Sequence, residues 1–311
     1  MFYSVSMGDP RGVGPDLILK SSLDNPDFKD AVVFGSRLVL NRRAQELGLP
    51  EFRGIVVEPE ALPEDPLRNP GQTAFCCLED SVTSVLEGGS SFLVTCPINK
   101  EAMAEAGFKF PGHTEYLASR SGVTNFHMMM SSPGIKVILT TIHEAIASVP
   151  SLITADRVSR AIEAGIRACI DDFGILNPAI AVCGLNPHCG EGGMFGHEEI
   201  DEIIPGIQQV RKKYPRIKIS DPVSADTVFY RAKNGDWDMI IAMYHDQGLA
   251  GIKSTDFFTT VNVTLGLGWI RTSPDHGTAI DIAGKGIINT GSFVNSISTG
   301  ILMAGNRKHG K

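Results

Sequence analysis

Three histidines each stand just after an apolar, strand-like run, and this placement is the strongest chemical signal in the sequence. They are His143, His188 and His245. Because ligands of open α/β sheets collect outside the carboxyl ends of the strands, the three imidazoles could hold one divalent ion there. The separations are too long for a local metal motif, and a histidine taken alone is more often a hydrogen-bonding residue at a loop edge.

A second candidate site is the segment 111–115, which precedes a helical pattern. Gly112, followed by His113 and Thr114, would offer backbone N–H groups and the positive end of a helix dipole to an anion. A plain N-cap made by His113 or Thr114 explains the segment equally well.

The cations nearest to these loops and strand ends are Lys100, Lys253 and Arg271. Arg271 closes the apolar run 261–270, where a bidentate grip on a carboxylate or a phosphate would be chemically sensible. A solvated surface charge is the commoner state of any single Lys or Arg. Asp226 is either a catalytic carboxylate or a helix cap, and taken alone the cap is the better interpretation.

Two glycine-rich loops could also approach a ligand closely. The loop 8–16 follows the first strand-like run, and its glycines would allow a ligand near the backbone. The loop 190–196 fits a lid or a turn. No stretch matches G-x-G-x-x-G, so the sequence does not predict a classical dinucleotide-binding fold.

The elements that must position these residues alternate along the chain. Six short apolar runs predict strands at 3–7, 31–34, 92–95, 136–141, 179–183 and 239–243. They are almost continuously apolar, as strands buried on both faces are. Amphipathic stretches predict helices at 38–47, 155–171 and 198–213, the last of them kinked or split at Pro205. This alternation predicts an α/β protein with a mostly parallel sheet.

The bulk composition limits the class of protein. At 311 residues the chain is longer than one hydrophobic core usually supports, so we expect two lobes. The net charge of -7 argues against a general nucleic-acid-binding surface. No apolar run approaches the roughly 20 residues that a membrane span needs. The six cysteines form no C-x-x-C pair, so we expect reduced thiols in a cytoplasmic protein.

Eight sequence blocks carry a resemblance to a known family. They are MGDP at 7–10, CPINK at 96–100, FPGHTE at 110–115, GLNPH at 184–188, GEGG at 190–193, MYHDQGL at 243–249, VNVTLG at 261–266 and IRTS at 270–273. In these blocks and their order, the sequence resembles the 4-hydroxythreonine-4-phosphate dehydrogenase family of pyridoxal phosphate biosynthesis over nearly the whole chain. The segment HGTAIDIAGKG at 276–286 also looks like the adenosine-binding loop of isopropylmalate dehydrogenases.

The resemblance implies the isocitrate/isopropylmalate dehydrogenase-like fold, an α/β class with three α/β/α layers and two lobes separated by a cleft. The first lobe is expected over 1–125 plus 255–311 and contains the adenosine-binding loop. The second lobe is expected over 126–254 and carries the metal histidines and the dimer contacts. A homodimer is implied, with the active site at the subunit interface and metal ligands drawn from both subunits.

The resemblance also assigns roles to individual residues. It makes the ligands of one divalent ion, Zn, Mg or Co, His143, His188 and His245. It places substrate binding at His113, Thr114, Lys253, Asn262 and Arg271. It places binding of NAD or NADP at His276, Gly277, Thr278, Ala279 and Asp281. The proton acceptor would be a metal-bound water or Lys253, assisted by Asp226.

The implied reaction is the oxidation of the secondary alcohol of 4-phosphohydroxy-L-threonine to a β-keto acid, which loses carbon dioxide to give 3-amino-2-oxopropyl phosphate. Two departures from the family pattern bear on the substrate: the run 141–146 lacks the usual proline, and 221–227 reads DPVSADT in place of GPxPADT. They keep open a related dehydrogenase for 4-phospho-threonate, 4-phospho-erythronate or a dihydrodiol. A phosphate acyltransferase and a non-catalytic binding protein are the alternatives from other classes.

Overall fold

The computed structural model describes residues 1–309, which form two compact units. The first unit contains residues 1–124 and 267–304. The second unit contains residues 125–266 and 305–309. Among the described helices, none combines the length and the apolar character that crossing a bilayer requires.

The strands are named here in chain order. Within residues 1–309 they are β1 (Tyr3–Ser6), β2 (Ala31–Phe34), β3 (Ile55–Val57), β4 (Leu93–Thr95), β5 (His127–Ser131), β6 (Lys136–Leu139), β7 (Ala179–Cys183), β8 (Lys218–Val223), β9 (Met239–Ala242), β10 (Val261–Leu265) and β11 (Arg271–Pro274).

The α-helices follow the same convention. They are α1 (Gly14–Asp24), α2 (Arg37–Glu46), α3 (Pro70–Leu86), α4 (Lys100–Glu105), α5 (His113–Arg120), α6 (Val149–Leu152), α7 (Ala155–Arg167), α8 (Ile204–Lys213), α9 (Ala225–Lys233), α10 (His245–Asp256) and α11 (Gly291–His309).

The strands of the first unit are ordered β3-β2-β1-β4-β11, and every one of these neighbouring pairs is parallel. The central strand β1 is fully buried although two of its four residues are serines, and the Ser4 hydroxyl is satisfied by a hydrogen bond to the Ser90 hydroxyl at 2.8 Å. Beside it, the ring of Tyr3 stacks on Phe92 with centroids 4.6 Å apart. Gly300 of α11 faces the same ring, because a Cβ there would come within 2.3 Å of Phe92. The absent side chain therefore lets α11 lie close to the sheet.

The strands of the second unit are ordered β10-β5-β6-β9-β7-β8. The run from β6 to β8 is parallel, whereas β5 is antiparallel to both β6 and β10. Buried side chains from the strands and from α10 form the core on one face, including Met130, Val137, Ile240 and Ile252. The carboxyl ends of β6, β9 and β7 consequently point to one edge of this sheet.

Local signals account for several helix boundaries. The Ser36 hydroxyl accepts from Val39 N at the start of α2, and the Thr154 hydroxyl accepts from Arg157 N at the start of α7. Pro205 lies in the first turn of α8, directly after a π-helical turn at Glu199–Ile203. The proline therefore separates two helical segments, as predicted, because it cannot donate a hydrogen bond to the preceding turn.

The predicted α/β class is confirmed, and the expected mostly parallel pairing holds except at β5 and β10. One expected boundary is wrong: residues 255–266 belong to the second unit, not to the first lobe. The cause is β10, which pairs with β5 from Val261↔Ser131 to Leu265↔His127. The end of α11 also belongs to the second unit, since Arg307 Nε donates to the Asp172 carboxylate at 2.5 Å.

Candidate active site

The strand ends of the second unit bring two of the predicted metal histidines together. The chain stays paired beyond β6 and β9, because Thr141 donates to Met243 O from both its backbone N–H, at 3.1 Å, and its hydroxyl, at 2.8 Å. As a result, the rings of His143 and His245 lie with their centroids 5.8 Å apart and their planes tilted by 41°. These residues are remote in sequence, and only the adjacency of two parallel strands places them side by side.

The environment of His245 selects which ring nitrogen is open to a ligand. The residue begins α10, and its Nδ1 lies 2.7 Å from the Asp246 carboxylate. A carboxylate accepts a hydrogen bond, so Nδ1 donates to Asp246, and in the neutral ring Nε2 is the nitrogen that keeps a lone pair. This arrangement is typical of histidines that bind metals, because the carboxylate fixes the orientation of the ring.

His188 lies on the segment 184–193, which follows β7 and is called the arm here; its backbone is unusual. Residues 188–192 all have positive φ angles, between 45° and 78°, and three of them are not glycine: His188, Cys189 and Glu191. A left-handed conformation costs such residues about 1–2 kcal/mol each. Strain of this kind persists only where surrounding contacts enforce it, and it concentrates at functional sites.

The contacts that enforce this arm come from Glu199. Its buried carboxylate accepts from Leu185 N and from Asn186 N, both at 2.7 Å, and from the Asn186 side-chain amide at 2.9 Å. A Cβ on Gly190 would come within 2.8 Å of the same carboxylate. The glycine and the carboxylate together hold the start of the arm that carries His188.

The three predicted metal ligands do not form one cluster within the described chain. Over residues 1–309, no group of three or more His, Cys, Asp or Glu side chains is arranged to hold a metal ion. His143 and His245 form a pair, and His188 completes no group of three with them in the described chain. The set of three ligands stays a prediction, and the implied homodimer is the setting in which it could be completed.

A cavity of about 790 Å³ opens beside the arm. Its lining includes His188, Asp226, Lys233 and Gln247. The interpretation of Asp226 as a helix cap is wrong, because Ser224 is the N-cap of α9 and Asp226 lies in the first turn with an exposed side chain. Its carboxylate is thus open to the same cavity as a predicted metal histidine.

Two other predicted residues of the second unit lie elsewhere. Lys253 stands on α10, half-buried, with its Nζ 5.9 Å from the centre of the Phe257 ring. It is not among the described residues that line the cavity. Asn262 lies within β10, and its buried Oδ1 has no hydrogen-bond partner among residues 1–309. A buried carbonyl oxygen without a donor costs free energy, so a ligand that donates to it would be favoured.

In the first unit, the predicted anion-binding segment begins α5. Gly112 is the N-cap, with extended backbone and no side-chain cap, so neither His113 nor Thr114 caps the helix. Both instead occupy the first turn, where backbone N–H groups point outward. The Nε2 of His113 is buried and has no partner within the described chain. Burial, and then the charges of Arg271 and Lys100, hold the pKa of His113 well below its usual value, so the ring is neutral near pH 7.

Arg271 supplies a buried positive charge to the same unit. It is 3% exposed at the start of β11, and its Nε and Nη2 donate to the Thr95 hydroxyl at 3.2 and 2.8 Å. Burial lowers the pKa of Arg271 to about 10, although the charge of Glu115 acts in the opposite direction. The guanidinium is therefore still protonated at neutral pH. A desolvated cation beside a helix start is suited to a phosphate or a carboxylate.

The glycines of the loop 8–16, which we expected to allow a ligand near the backbone, instead allow close packing of the protein's own chain. A Cβ would come within 2.3 Å of Pro97 O at Gly8, and within 2.1 Å of Met7 O at Gly14. At Gly12 it would meet the Thr278 side chain at 2.5 Å. These positions are glycine because the protein's own backbone occupies the space, which leaves none there for a ligand.

The segment with the predicted cofactor residues packs on that loop. The Thr278 hydroxyl donates to Ile98 O at 2.8 Å, and Val13 N donates to Thr278 O at 3.0 Å. Ala279 has a φ of 45°, and Asp281 lies exposed in a short 3-10 turn, Ile280–Ile282. These contacts give the segment a fixed shape on the loop.

Two features of the segment point to a ligand. The Nε2 of His276 is buried and has no hydrogen-bond partner among the described residues. A Cβ on Gly277 would meet no atom within 4 Å, so open space lies beside the backbone there. A hydrogen-bonding ligand could occupy that space.

The tight contact at Gly12 leads to a stability prediction. Gly12→Ala should lower the free energy of unfolding by about 1–3 kcal/mol, because the added methyl overlaps both the side chain and the carbonyl of Thr278. Thermal unfolding measures this change. Gly305→Ala, which meets no atom within 4 Å inside α11, is the control and should stabilise by up to about 1 kcal/mol. Equal melting temperatures for the two variants would contradict the packing.

Sequence reasoning missed two sets of residues around the sites. One is Glu199, whose position thirteen residues after Asn186 gives no local signal. The other is a network in which Arg43 binds the buried Asp16 carboxylate and the Gly12 carbonyl, while Gly284 N donates to Asp16 at 2.9 Å. The acidic residue at the start of α1 was visible in the sequence, but its partners come from distant segments.

Comparison with known proteins agrees with this architecture. The sequence profile described as "Pyridoxal phosphate biosynthetic protein PdxA" matches residues 28–300. A relative from Beijerinckia indica named 4-hydroxythreonine-4-phosphate dehydrogenase is 40% identical, covering 93% of this chain and 91% of its own. One from Cupriavidus necator named D-threonate 4-phosphate dehydrogenase is 37% identical, covering 97% of each chain.

Solved structures give the same result. The crystal structure of 4-hydroxythreonine-4-phosphate dehydrogenase from Klebsiella pneumoniae is similar with a TM-score of 0.84 and 33% identity, over 97% of this chain and 99% of that one. Isocitrate dehydrogenase from Methylococcus capsulatus is similar with a TM-score of 0.53 and 12% identity, over 99% of this chain and 87% of that one. The second likeness shows the fold alone, and it confirms the predicted fold family.

Proposed function

We propose that this chain, which belongs to the PdxA family of pyridoxal phosphate biosynthetic proteins, oxidises the secondary alcohol of 4-phosphohydroxy-L-threonine. The chain is a dehydrogenase, as its named relatives and the structurally similar Klebsiella pneumoniae protein are. NAD or NADP would take the hydride from the carbinol carbon, and the hydroxyl would release its proton. The β-keto acid would then lose carbon dioxide to give 3-amino-2-oxopropyl phosphate.

The observation that carries the proposal is the pair of rings of His143 and His245. Two imidazoles that bind one ion have centroids about 5–6 Å apart when each metal–nitrogen distance is about 2.1 Å. The observed separation of 5.8 Å fits this spacing, and the contact of Asp246 with Nδ1 leaves Nε2 of His245 as the nitrogen for a metal. A neutral nitrogen donor set suits Zn or Co. When bound, such an ion supplies a Lewis acid that stabilises negative charge on the alcohol oxygen.

The remaining steps belong to the chain's own residues. Arg271 binds the substrate phosphate, with the neutral ring of His113 and the backbone at Thr114 as further donors. Asn262 accepts a hydrogen bond from the substrate through its buried Oδ1. Orientation by these groups brings the carbinol C–H toward the nicotinamide, which converts binding free energy into rate.

Two groups are proposed for proton transfer. Asp226 faces the cavity that His188 lines, and Lys253 stands on the helix that His245 begins. Either can accept a proton directly or through water within hydrogen-bond reach of the substrate hydroxyl. We propose Lys253 as the acceptor, assisted by Asp226.

The segment that carries His276, Gly277, Thr278, Ala279 and Asp281 fits the adenosine end of NAD or NADP. The buried Nε2 of His276 and the open space beside Gly277 are what such a ligand would use. The fixed backbone at Thr278 and Ala279 provides shape, and the exposed Asp281 provides a hydrogen-bond acceptor. These features support binding without the glycine-rich fingerprint.

A cytoplasmic homodimer is part of the proposal. On the second unit, several large apolar side chains are at least half exposed, namely Ile146, Met194, Phe195, Phe257 and Phe258. Exposed apolar groups of this size support a protein interface. A two-fold partner would also allow the metal site to draw ligands from both subunits. All six cysteines are free thiols, in keeping with a reducing compartment.

A second substrate has support from the names of two relatives, one of them an Oceanobacillus iheyensis protein, 40% identical, whose name is "Putative D-threonate 4-phosphate dehydrogenase". The Cupriavidus necator protein is named D-threonate 4-phosphate dehydrogenase. Its substrate class has a hydroxyl where 4-phosphohydroxy-L-threonine has an amine, and the phosphate and the oxidised alcohol are shared. The buried Arg271 serves both substrates equally, so the group next to the carboxylate decides between them.

The proposal is tested by a dehydrogenase assay on the metal-stripped protein. After treatment with a chelator, reduction of NAD or NADP should be absent, and it should return with Zn, Mg or Co. The panel contains 4-phosphohydroxy-L-threonine, D-threonate 4-phosphate, D-erythronate 4-phosphate and a non-phosphorylated cis-dihydrodiol. We expect the highest kcat/KM on the first compound, with release of carbon dioxide.

Other results would separate the alternatives. The highest kcat/KM on D-threonate 4-phosphate would reassign the substrate within the same reaction class. Turnover of the dihydrodiol alone would overturn the phosphate role of Arg271. Full activity after chelation would remove the metal role of the histidines.

A further inference from the structure

Gln247 joins two loops that leave neighbouring strands of the second unit. Its Oε1 accepts from Met243 N at 2.6 Å, and its Nε2 donates to Gly184 O at 2.8 Å. One partner is a donor and the other an acceptor, so the orientation of the amide is fixed by chemistry. The side chain is partly buried, which shields both hydrogen bonds from water.

The two partners of Gln247 lead directly to two predicted metal ligands. Met243 immediately precedes the turn into α10, which His245 begins. Gly184 follows β7 and begins the arm that carries His188. The strands β7 and β9 themselves pair only as far as Val182↔Ile241. Beyond that point, the two hydrogen bonds of the Gln247 side chain join the segment after β9 to the segment after β7.

The arm is already held on its other side by Glu199, through the backbone N–H groups of Leu185 and Asn186. Glu199 thus holds the start of the arm, just before its left-handed turn. It does not connect the arm to α10. That connection comes from Gln247, which reaches back across the helix start in the way that a capping-box glutamine does.

We propose that Gln247 is a positioning residue that sets the arm bearing His188 against the helix bearing His245, and thereby sets the affinity of the site for its divalent ion. The inference rests on the proposed function, because it takes these histidines as metal ligands. Residues that support metal ligands without touching the ion typically change metal affinity by about 10- to 100-fold when they are replaced.

The informative variant is Gln247→Glu, which has almost the same shape. It keeps an acceptor for Met243 N but turns the second contact into one between the new carboxylate and the Gly184 carbonyl, two acceptors that repel each other. Gln247→Met removes both hydrogen bonds without adding charge, and serves if the first variant folds poorly. Gln208→Glu, an exposed position on α8, is the matched control for the added charge.

The measurement is a titration of the metal-free, full-length protein with Co²⁺, followed by the visible absorption of the bound ion. We expect Gln247→Glu and Gln247→Met to bind Co²⁺ about 10- to 100-fold more weakly than the wild type, and Gln208→Glu to bind it normally. Thermal unfolding of the metal-free proteins should show that the fold is retained. A purely structural role would lower the melting temperature and leave the absorption spectrum of the bound ion unchanged.

Two failures can be told apart. If the wild type binds no Co²⁺, or if His143→Ala binds it normally, the metal site itself is overturned, and the role of Gln247 with it. If the wild type binds Co²⁺ through these histidines and both Gln247 variants bind it equally well, only the positioning role is overturned.

Discussion

Arg271→Lys is expected to lower kcat/KM for the phosphorylated substrate by about 10- to 150-fold, because a hydrogen bond to a charged group contributes about 1.5–3 kcal/mol. Lysine keeps the formal charge but loses the planar fork that binds two oxygens at once. Burial also lowers the pKa of a lysine ammonium, so a smaller fraction of the lysine would be charged than of Arg271, whose pKa is about 10. Arg271→Met, which removes the charge, should cost about 2–5 kcal/mol.

The control for this prediction is Arg68→Lys, whose side chain is 87% exposed in the same unit. It should leave kcat/KM unchanged. Inorganic phosphate provides a second readout, since it should raise the melting temperature of the wild type and not that of Arg271→Met. If Arg271→Lys retains the wild-type KM and kcat, the substrate phosphate binds elsewhere.

The strands that could be predicted from the sequence are those buried on both faces. The runs at 31–34 and 179–183 match β2 and β7 residue for residue, and four others differ from the observed strands by one or two residues. Continuous apolar sequence of this kind has few other stable places in a protein of this size. An apolar run is therefore sufficient to predict a strand where burial is the dominant contribution to the stability of that strand.

The missed strands have physical reasons. β8 contains Asp221 and Pro222, and these residue types argue against a central strand. In the structure β8 is an edge strand, because it pairs only with β7 and is the last strand in the order of the second unit. An edge strand can contain proline because one side needs no hydrogen bond. β5, with His127 and three methionines, lacks the β-branched residues typical of strands, and its antiparallel pairing comes from contacts with β6 and β10.

Part of the candidate site could likewise be predicted from the sequence, and part of it could not. The pairing of His143 with His245 was predictable, because the carboxyl ends of adjacent parallel strands must meet at one edge. The left-handed arm of His188 and its support by Glu199 were not, since they depend on hydrogen bonds between segments that no local pattern links. The prediction that Asp226 caps a helix was wrong, because Ser224, two residues earlier, is the N-cap of α9.

His143→Ala is expected to have the largest effect of any single change, lowering kcat by about 10³-fold or more. A Lewis acid contributes several kcal/mol to the stabilisation of a charged transition state, and each factor of ten in rate corresponds to about 1.4 kcal/mol. The same variant should lose Co²⁺ binding, which is measured without turnover. His245→Ala should behave in the same way, since the two rings form the pair.

Folding should be unaffected, because the His143 side chain is exposed and exposed substitutions usually change stability by less than about 0.5 kcal/mol. His197→Ala, an exposed histidine of the same unit, controls for a general effect of removing an imidazole and should retain kcat. A His143→Ala protein that keeps its melting temperature, its kcat and its affinity for Co²⁺ would show that the two rings are neighbours without being ligands. The alcohol would then have to be activated by protein side chains alone, with Asp226 and Lys253 as the groups to replace next.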